Sequence, residues 1–204
     1  MRALIVASSS VDKEQLQEEY TRAHLSIACD GGLHHFNEVD LVPTIILGDF
    51  DSYKGMIPLG AEVYSKEKDF SDLEAAIDKA LEKGMNEICI LGATGRRLDH
   101  FLVGLYSLFR YDVPVEIKDP HNCILVKKNS FSLKDAGYTY FSLVPLDDLV
   151  ISIQGAKYNL DNKKVSFGSS LLLSNEFEEQ DIQVQFNDSR LIVILSDDNK
   201  KTLL

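Results

Sequence analysis

Apolar residues along the chain come first in short unbroken runs separated by helical periods, and later in runs separated only by turn residues. The early runs are Ala3–Ala7, Leu25–Cys29, Thr44–Leu47, Ala61–Tyr64, Glu87–Leu91 and Val113–Ile117. They are short and rich in Val and Ile, as strands buried on both faces should be. The first leads directly into a polar helical stretch. The clearest helix is predicted from Asp72 to Lys83, where Leu73, Ala76, Ile77, Ala80 and Leu81 fall at i, i+3, i+4, i+7 and i+8. Ser71 and Glu74 have the spacing of a capping box at its start, and Gly84 ends it. A further helix is predicted over His100 to Arg110, with Phe101, Leu102, Leu105 and Leu108 on one side. Such alternation implies an α/β domain, a mostly parallel sheet with helices on both faces.

After the turn-rich Asp119-Pro120-His121-Asn122 the pattern changes. Strands are predicted at Cys123–Lys127, Tyr138–Val144, Leu149–Gln154, Lys164–Phe167, Ser170–Leu173, Asp181–Phe186 and Arg190–Leu195. Asn, Asp, Gly and Ser separate them, with no helical period between. That reads as an all-β domain, an antiparallel sandwich or barrel. The expected domains are therefore 1–119, α/β, and 120–204, all-β sandwich. Lys127-Lys128 and Lys163-Lys164 read as solvated turn charges.

Composition narrows the function classes. The chain has 204 residues, 45% apolar and 26% charged, with formal net charge −11. An acidic chain of this kind is not expected to bind a nucleic-acid backbone, which wants a basic face. Its three cysteines, Cys29, Cys89 and Cys123, have no zinc spacing, and Cys29 and Cys89 lie in apolar runs that suit small buried thiols. No apolar run approaches the ~20 residues of a membrane span. The expectation is a soluble cytoplasmic protein with no membrane partner.

Candidate chemistry collects where an open α/β sheet binds its ligands, at the carboxyl ends of the strands. The first strand ends in Ser8-Ser9-Ser10, the second in Asp30-Gly31-Gly32 and the third in Gly48-Asp49-Phe50-Asp51-Ser52. The fourth is followed by Lys66, Lys68, Asp69 and Asp72, and the fifth by Gly92-Ala93-Thr94-Gly95-Arg96-Arg97-Leu98-Asp99-His100. One Asp-Gly turn means nothing, but converging polar ends describe a crevice. Carboxylates without His or Cys partners favour a hard cation, Mg²⁺ before Ca²⁺. Arginines in the glycine-rich loop Gly92 to Arg97 suit phosphate oxygens, because the guanidinium fork gives paired bonds and the loop offers backbone N–H groups. Together these are the equipment of phosphoryl transfer. Neither a P-loop nor a Rossmann glycine motif is present.

Several of these residues have plainer roles open to them. Asp72 suits a helix first turn by the dipole alone, Asp99 could cap the helix after it, and Ser52 reads as a turn residue. Ser71 and Glu74 are explained by capping. His34-His35 is not a metal pair, since neighbours on a helix point apart, so a solvated or packing role is expected.

Six ordered blocks resemble the thiamine pyrophosphokinase family: DGG (30–32), GDFDS (48–52), KDFSDLE (68–74), GATGRRLDH (92–100), GAKYNLDN (155–162) and SLLLSNEF (170–177). The resemblance implies transfer of the pyrophosphoryl group of ATP to the hydroxyethyl oxygen of thiamine, giving thiamine diphosphate and AMP. It implies an N-terminal nucleotide- and metal-binding domain, a C-terminal thiamine-binding β-sandwich, and a homodimer whose active sites are shared between subunits. Asp49, Asp51 and Asp72 match the family's Mg²⁺-associated aspartates. Asp30, Gly31, Lys68, Asp69, Gly92, Thr94, Gly95 and Arg97 fall in its ATP and phosphate motifs, and Asp99 with Arg97 in the catalytic glycine-rich motif. Tyr158 matches an aromatic beside the thiamine, and Ser174 and Asn175 match an SN pair. An aromatic face such as Tyr158 would favour the thiazolium charge. Asp99 and Asp72 both remain open as acceptor of the hydroxyl proton.

Two positions depart from the family pattern: Arg96 replaces a glycine, and Gly104 stands where an Asn is usual. The competing expectations are another Mg²⁺-dependent phosphotransferase or nucleotidyltransferase, and a catalytically silent nucleotide- or thiamine-binding protein.

Overall fold

A computed structural model describes residues 1–50, 53, 55–65, 67–95, 97–187 and 189–199. The chain divides into two compact units, Met1–Pro120 and His121–Leu204.

In the first unit the elements run β1 (Arg2–Val6), α1 (Lys13–Arg22), β2 (Leu25–Cys29), a 3₁₀ turn (Asp30–Gly32), α2 (Leu33–Glu38), β3 (Ile45–Gly48) and β4 (Glu62–Val63). They continue with α3 (Asp72–Glu82), β5 (Glu87–Leu91), α4 (Leu98–Ser107), a 3₁₀ turn (Leu108–Arg110) and β6 (Val115–Lys118). The strands pair in parallel in the order β6-β5-β1-β2-β3-β4. The chain thus steps outward from β1 to β4 on one side and then crosses back to place β5 on the other side of β1. Ligands are expected beyond the carboxyl ends at such a reversal.

Period-two alternation gives each face of the sheet its own apolar set. Leu4, Val6, Ala28, Cys89 and Leu91 join Leu16 of α1 and Leu33 and Phe36 of α2 in one core. The residues between them, among them Ile5, Ile27, Ile88 and Ile90, are fully buried on the opposite face. There α3 packs across β1, β2 and β3 through a stripe that buries Ala76, Ile77 and Ala80. Asp12 caps α1 by accepting the Gln15 N–H at 3.0 Å, and Ser71 and Glu74 form the reciprocal capping box of α3. Glu19 of α1, almost fully buried, is held by Arg2 at 2.7 Å and Lys118 at 3.1 Å. Glu116 meets the same two cations at 3.3 and 3.0 Å, so each buried charge finds partners.

The second unit consists of β7 (Asn122–Lys127), β8 (Phe131–Lys134), β9 (Tyr140–Pro145), β10 (Leu149–Gln154), β11 (Leu160–Val165), β12 (Asn175–Glu176), β13 (Asp181–Phe186) and β14 (Leu191–Ser196). They form two antiparallel sheets, β12-β9-β14-β7 and β11-β10-β13-β8. Inward positions of both sheets make a single core that includes Leu133, Phe141, Leu143, Ile151, Ile153, Ile182, Val184, Leu191 and Val193.

Some predicted elements shift. The strand expected at Lys164–Phe167 is β11, at Leu160–Val165, and it contains Lys163 and Lys164 rather than turning at them. It lies at a sheet edge, where solvated lysines oppose further strand addition. Lys127 likewise lies in β7, while Lys128 follows that strand in a bend. Ser170–Leu173 is a turn: the Leu173 N–H reaches the Ser170 carbonyl and the Leu171 N–H reaches the Ser169 hydroxyl. Serine hydroxyls here offer the backbone an alternative to a ladder. Strands β8 and β12 had no counterpart in the pattern, and α4 starts at Leu98 and closes in a 3₁₀ turn.

Candidate active site

The ends of β2 and β3 lie against one another because Gly48 carries no side chain. A Cβ there would stand 2.9 Å from the Asp30 Cα, and the glycine adopts φ +147°. This close approach puts Asp30, the first residue after β2, beside the segment that carries Asp49. Asp30 itself takes φ 52°, and the Ser8 hydroxyl donates to its carboxylate at 3.4 Å. The next contact comes from the start of α3. Lys68 Nζ lies 2.9 Å from an Asp72 oxygen and 3.6 Å from an Asp49 oxygen, with its side chain only 9% exposed. The same ammonium sits 5.7 Å from the Tyr64 ring centroid.

The carboxylates also act on the groups around them. The Cys29 thiol at the end of β2 is pushed well up, first by burial and then by the negative charges of Asp72 and Asp30, with Asp49 adding to them. Burial acts to lower the Lys68 pKa, but its close contact with Asp72 and the charges of Asp72 and Asp49 outweigh that and raise it. Lys68 is therefore a cation that the site carries in its own sequence.

Next to this cluster, the loop after β5 is threaded under the end of β1. Gly92 has φ +69°, and a Cβ on it would stand 2.5 Å from the Ala7 carbonyl oxygen. The Ser9 N–H donates to the Gly92 carbonyl at 2.9 Å. His35 of α2 completes the arrangement, its Nε2 lying 2.7 Å from the Ser9 carbonyl oxygen. A carbonyl only accepts, so Nε2 carries the proton. Burial lowers the His35 pKa against that hydrogen bond. His34 instead faces outward and pairs with Glu38 at 3.2 Å.

Arg97 and Asp99, at the start of α4, pair with each other in a two-pronged contact of 2.9 and 2.6 Å while both stay about two-thirds exposed, at 66% and 61%. The Arg97 hydrogen bonds hold the Asp99 carboxyl well below the usual range. Thr94 is partly buried, and Gly95 and Asp69 are exposed. Gly104 sits inside α4, where a Cβ would come within 3.2 Å of the Leu73 side chain on α3.

In the second unit, Tyr158 presents a 59% exposed ring with Lys157 Nζ at 5.6 Å from its centroid. Lys157 is held there by Glu176 at 2.6 Å. Ser174 is exposed, has φ 54° and donates its N–H to the Ser142 hydroxyl at 2.9 Å. Asn175 points the other way, buried at 6% exposure.

The sequence-predicted residues thus fall into groups. Asp30, Asp49, Lys68 and Asp72 form one cluster, and Gly31, Gly92, Thr94 and Gly95 belong to the loops beside it. Arg97 and Asp99 form a pair. Tyr158, Ser174 and Asn175 form a group in the second unit. Asp51, Ser52 and Arg96 lie outside the described residues. The sequence placed Ser8 and Ser9 at a polar strand end and gave His35 a solvated or packing role, without the contact between them. The Ser8–Ser10 run was visible as a polar strand end, but nothing in it indicated that α2 would bring His35 onto its backbone.

The donor set suits a hard cation. Asp49 and Asp72 supply carboxylate oxygens on either side of an ammonium, and Mg²⁺ ordinarily takes only one or two carboxylates. Among the described residues no cluster of three or more His, Cys, Asp or Glu closes on one point.

Acidic side chains, an internal lysine and a glycine-rich loop at a parallel-sheet reversal suit an enzyme that handles phosphorylated ligands. Two family models match: the thiamin pyrophosphokinase catalytic domain over residues 16–118, and the thiamin pyrophosphokinase vitamin B1 binding domain over 128–191. The chain belongs to the thiamin pyrophosphokinase family. It is 33% identical over 194 residues to the thiamine pyrophosphokinase of Bacillus subtilis, covering 88% of this chain and 91% of that one. The crystal structure of a Bacillus subtilis thiamine pyrophosphokinase superposes with a TM-score of 0.85 at 28% identity, over 98% of this chain and 100% of that one. That of Geobacillus thermodenitrificans gives 0.83 at 30% identity, over 98% and 99%. The Candida albicans enzyme shares the fold at 18% identity, with a TM-score of 0.79 over 96% and 89%.

Proposed function

We infer that the protein transfers the pyrophosphoryl group of ATP to the hydroxyethyl oxygen of thiamine, yielding thiamine diphosphate and AMP. The observation that carries this reading is the Asp49–Lys68–Asp72 cluster within the segment matched by the catalytic-domain model. The first unit takes the nucleotide and the second takes thiamine. Asp49 and Asp72, with Asp51 by resemblance, would hold Mg²⁺, which when bound neutralises charge on the phosphates.

The chain's own residues do the remaining work. Lys68 and Arg97 bind phosphate oxygens, Arg97 as a fork and Lys68 as a point charge. Backbone N–H groups of the Gly92–Gly95 loop help to orient the same phosphates. Tyr158 stacks on the cationic thiazolium, a reading supported by its exposed ring, which has the Lys157 ammonium 5.6 Å from its centroid. Asp72 or Asp99 accepts the hydroxyl proton. While Arg97 holds it, Asp99 is a weak base, so it would serve only after Arg97 turns to phosphate.

The active unit is a homodimer with sites shared between subunits. The apolar stripe that α4 leaves exposed, Leu98, Leu102, Val103 and Tyr106, supports a partner surface. A cytoplasmic location agrees with three free, buried cysteines. Among the described residues no helix is long and apolar enough to cross a membrane.

Incubation with Mg-ATP and thiamine, followed by product identification, tests the activity. AMP with thiamine diphosphate is the expected result. ADP with thiamine monophosphate would indicate ordinary kinase chemistry, and no turnover a binding protein.

A further inference from the structure

Asn175 matches a family motif on the thiamine side, yet its side chain is turned into the protein. Its Oδ1 accepts the Tyr158 N–H at 3.0 Å and the Glu176 N–H at 2.9 Å. Its Nδ2 donates to the Tyr158 carbonyl at 2.9 Å. An Asn amide offers two donors and two acceptor sites, and three of those four are engaged here. One residue further along, the Lys157 N–H donates to the Glu176 carbonyl at 3.0 Å, and Ala156 pairs with Phe177 in an antiparallel bridge. The Asn175 amide therefore extends this short ladder by one step, standing in for strand backbone opposite Tyr158. The Asn159 side chain closes the turn from the other side by accepting the Ala156 N–H at 3.1 Å. The result is an exposed ring on a backbone whose N–H and C=O are both fixed by one buried side chain.

We propose that Asn175 is a positioning residue, which holds the Tyr158 backbone so that its ring faces a flat cationic ligand, and which acts on that ligand through Tyr158 alone. The proposal rests on the reading of Tyr158 as the aromatic that stacks on thiamine. A pre-set ring face spares the ligand the ordering of a loop on binding. Asn175 contributes to affinity in this way without touching the ligand.

A double-mutant cycle on the full-length protein tests it, with thiamine affinity measured by titration and the KM for ATP measured alongside. Asn175→Ala is expected to weaken thiamine about tenfold, as for loss of a buried hydrogen-bonding group, with the ATP KM unchanged. Added to Tyr158→Ala, it is expected to change thiamine affinity by less than about twofold. Full additivity would overturn the proposal by showing that Asn175 meets the ligand itself, and equal loss of ATP binding would reduce it to a general structural role. If Tyr158→Ala alone leaves thiamine affinity intact, the stacking reading fails and takes the proposal with it. Asn175→Asp keeps the shape and the acceptor but loses the donor. It serves in the same cycle if the alanine variant does not fold, with the same non-additivity expected.

Discussion

Lys68 lies between Asp49 and Asp72 and relieves a repulsion that would otherwise spread the two carboxylates apart. Its raised pKa keeps it charged across the working range of the enzyme. The cluster is thus organised before any ligand arrives, the condition under which electrostatic groups contribute most to a reaction. Asp49→Asn is expected to lower kcat by at least about a hundredfold while circular dichroism and thermal unfolding stay close to wild type. A wild-type rate would remove Asp49 from the phosphate side of the site. The position of Asp49 at a strand end was readable from the apolar run before it, although Gly-Asp-Phe-Asp-Ser alone reads as a turn. The need for Gly48 was not, since it arises from Asp30, which follows a neighbouring strand. Asn175 was legible only as a motif position. Which way its amide points depends on the return of residues 156–158 beside β12.

At the level of elements, the ends of β2 and β3 and the capped start of α3 place the cluster, and the loop after β5 lies beside it. Burial works against ionisation of Glu74, but the Ser71 N–H and hydroxyl, with Arg110, hold its carboxyl below the usual value. A carboxyl depressed in the folded state stabilises above its unfolded pKa of about 4.3, and that contribution fades as the pH falls through the folded value. Ser71→Ala is therefore expected to cost about 1 kcal/mol at neutral pH and less in acid, measured by denaturant titration at both. A difference that grows toward low pH would contradict the assignment. Gly92→Ala forces a side chain into a left-handed backbone against the Ala7 carbonyl and should destabilise by about 2 kcal/mol or more. An unchanged denaturation midpoint would show that the loop can move away from β1. The buried parallel strands and α3 were readable from apolar runs and helical period. Edge strand β11 was misplaced because Lys163 and Lys164 look like turn residues until a strand on one side only is considered. Ser170–Leu173 misled in the opposite direction: its leucines suggested a strand, while the serine beside them made a turn.

For the whole molecule, α4 leaves an apolar stripe of Leu98, Leu102, Val103 and Tyr106 uncovered. Gel filtration is expected to give a mass near twice 22.9 kDa, and a monomer mass would count against sites shared between subunits. The order of strands has a further consequence, in time rather than in space. β1 precedes the other strands of its sheet in the chain and lies inside that sheet, with residues 3–6 fully buried. Its partner β2 follows at once, but its other edge waits for β5, at Glu87–Leu91. Throughout that interval of synthesis the growing chain carries an open, wholly apolar strand edge, the kind that pairs with the wrong neighbour. A chain released before β5 should aggregate more readily than one released after it. The moment of greatest vulnerability for this enzyme then comes on the ribosome, well before it meets either substrate.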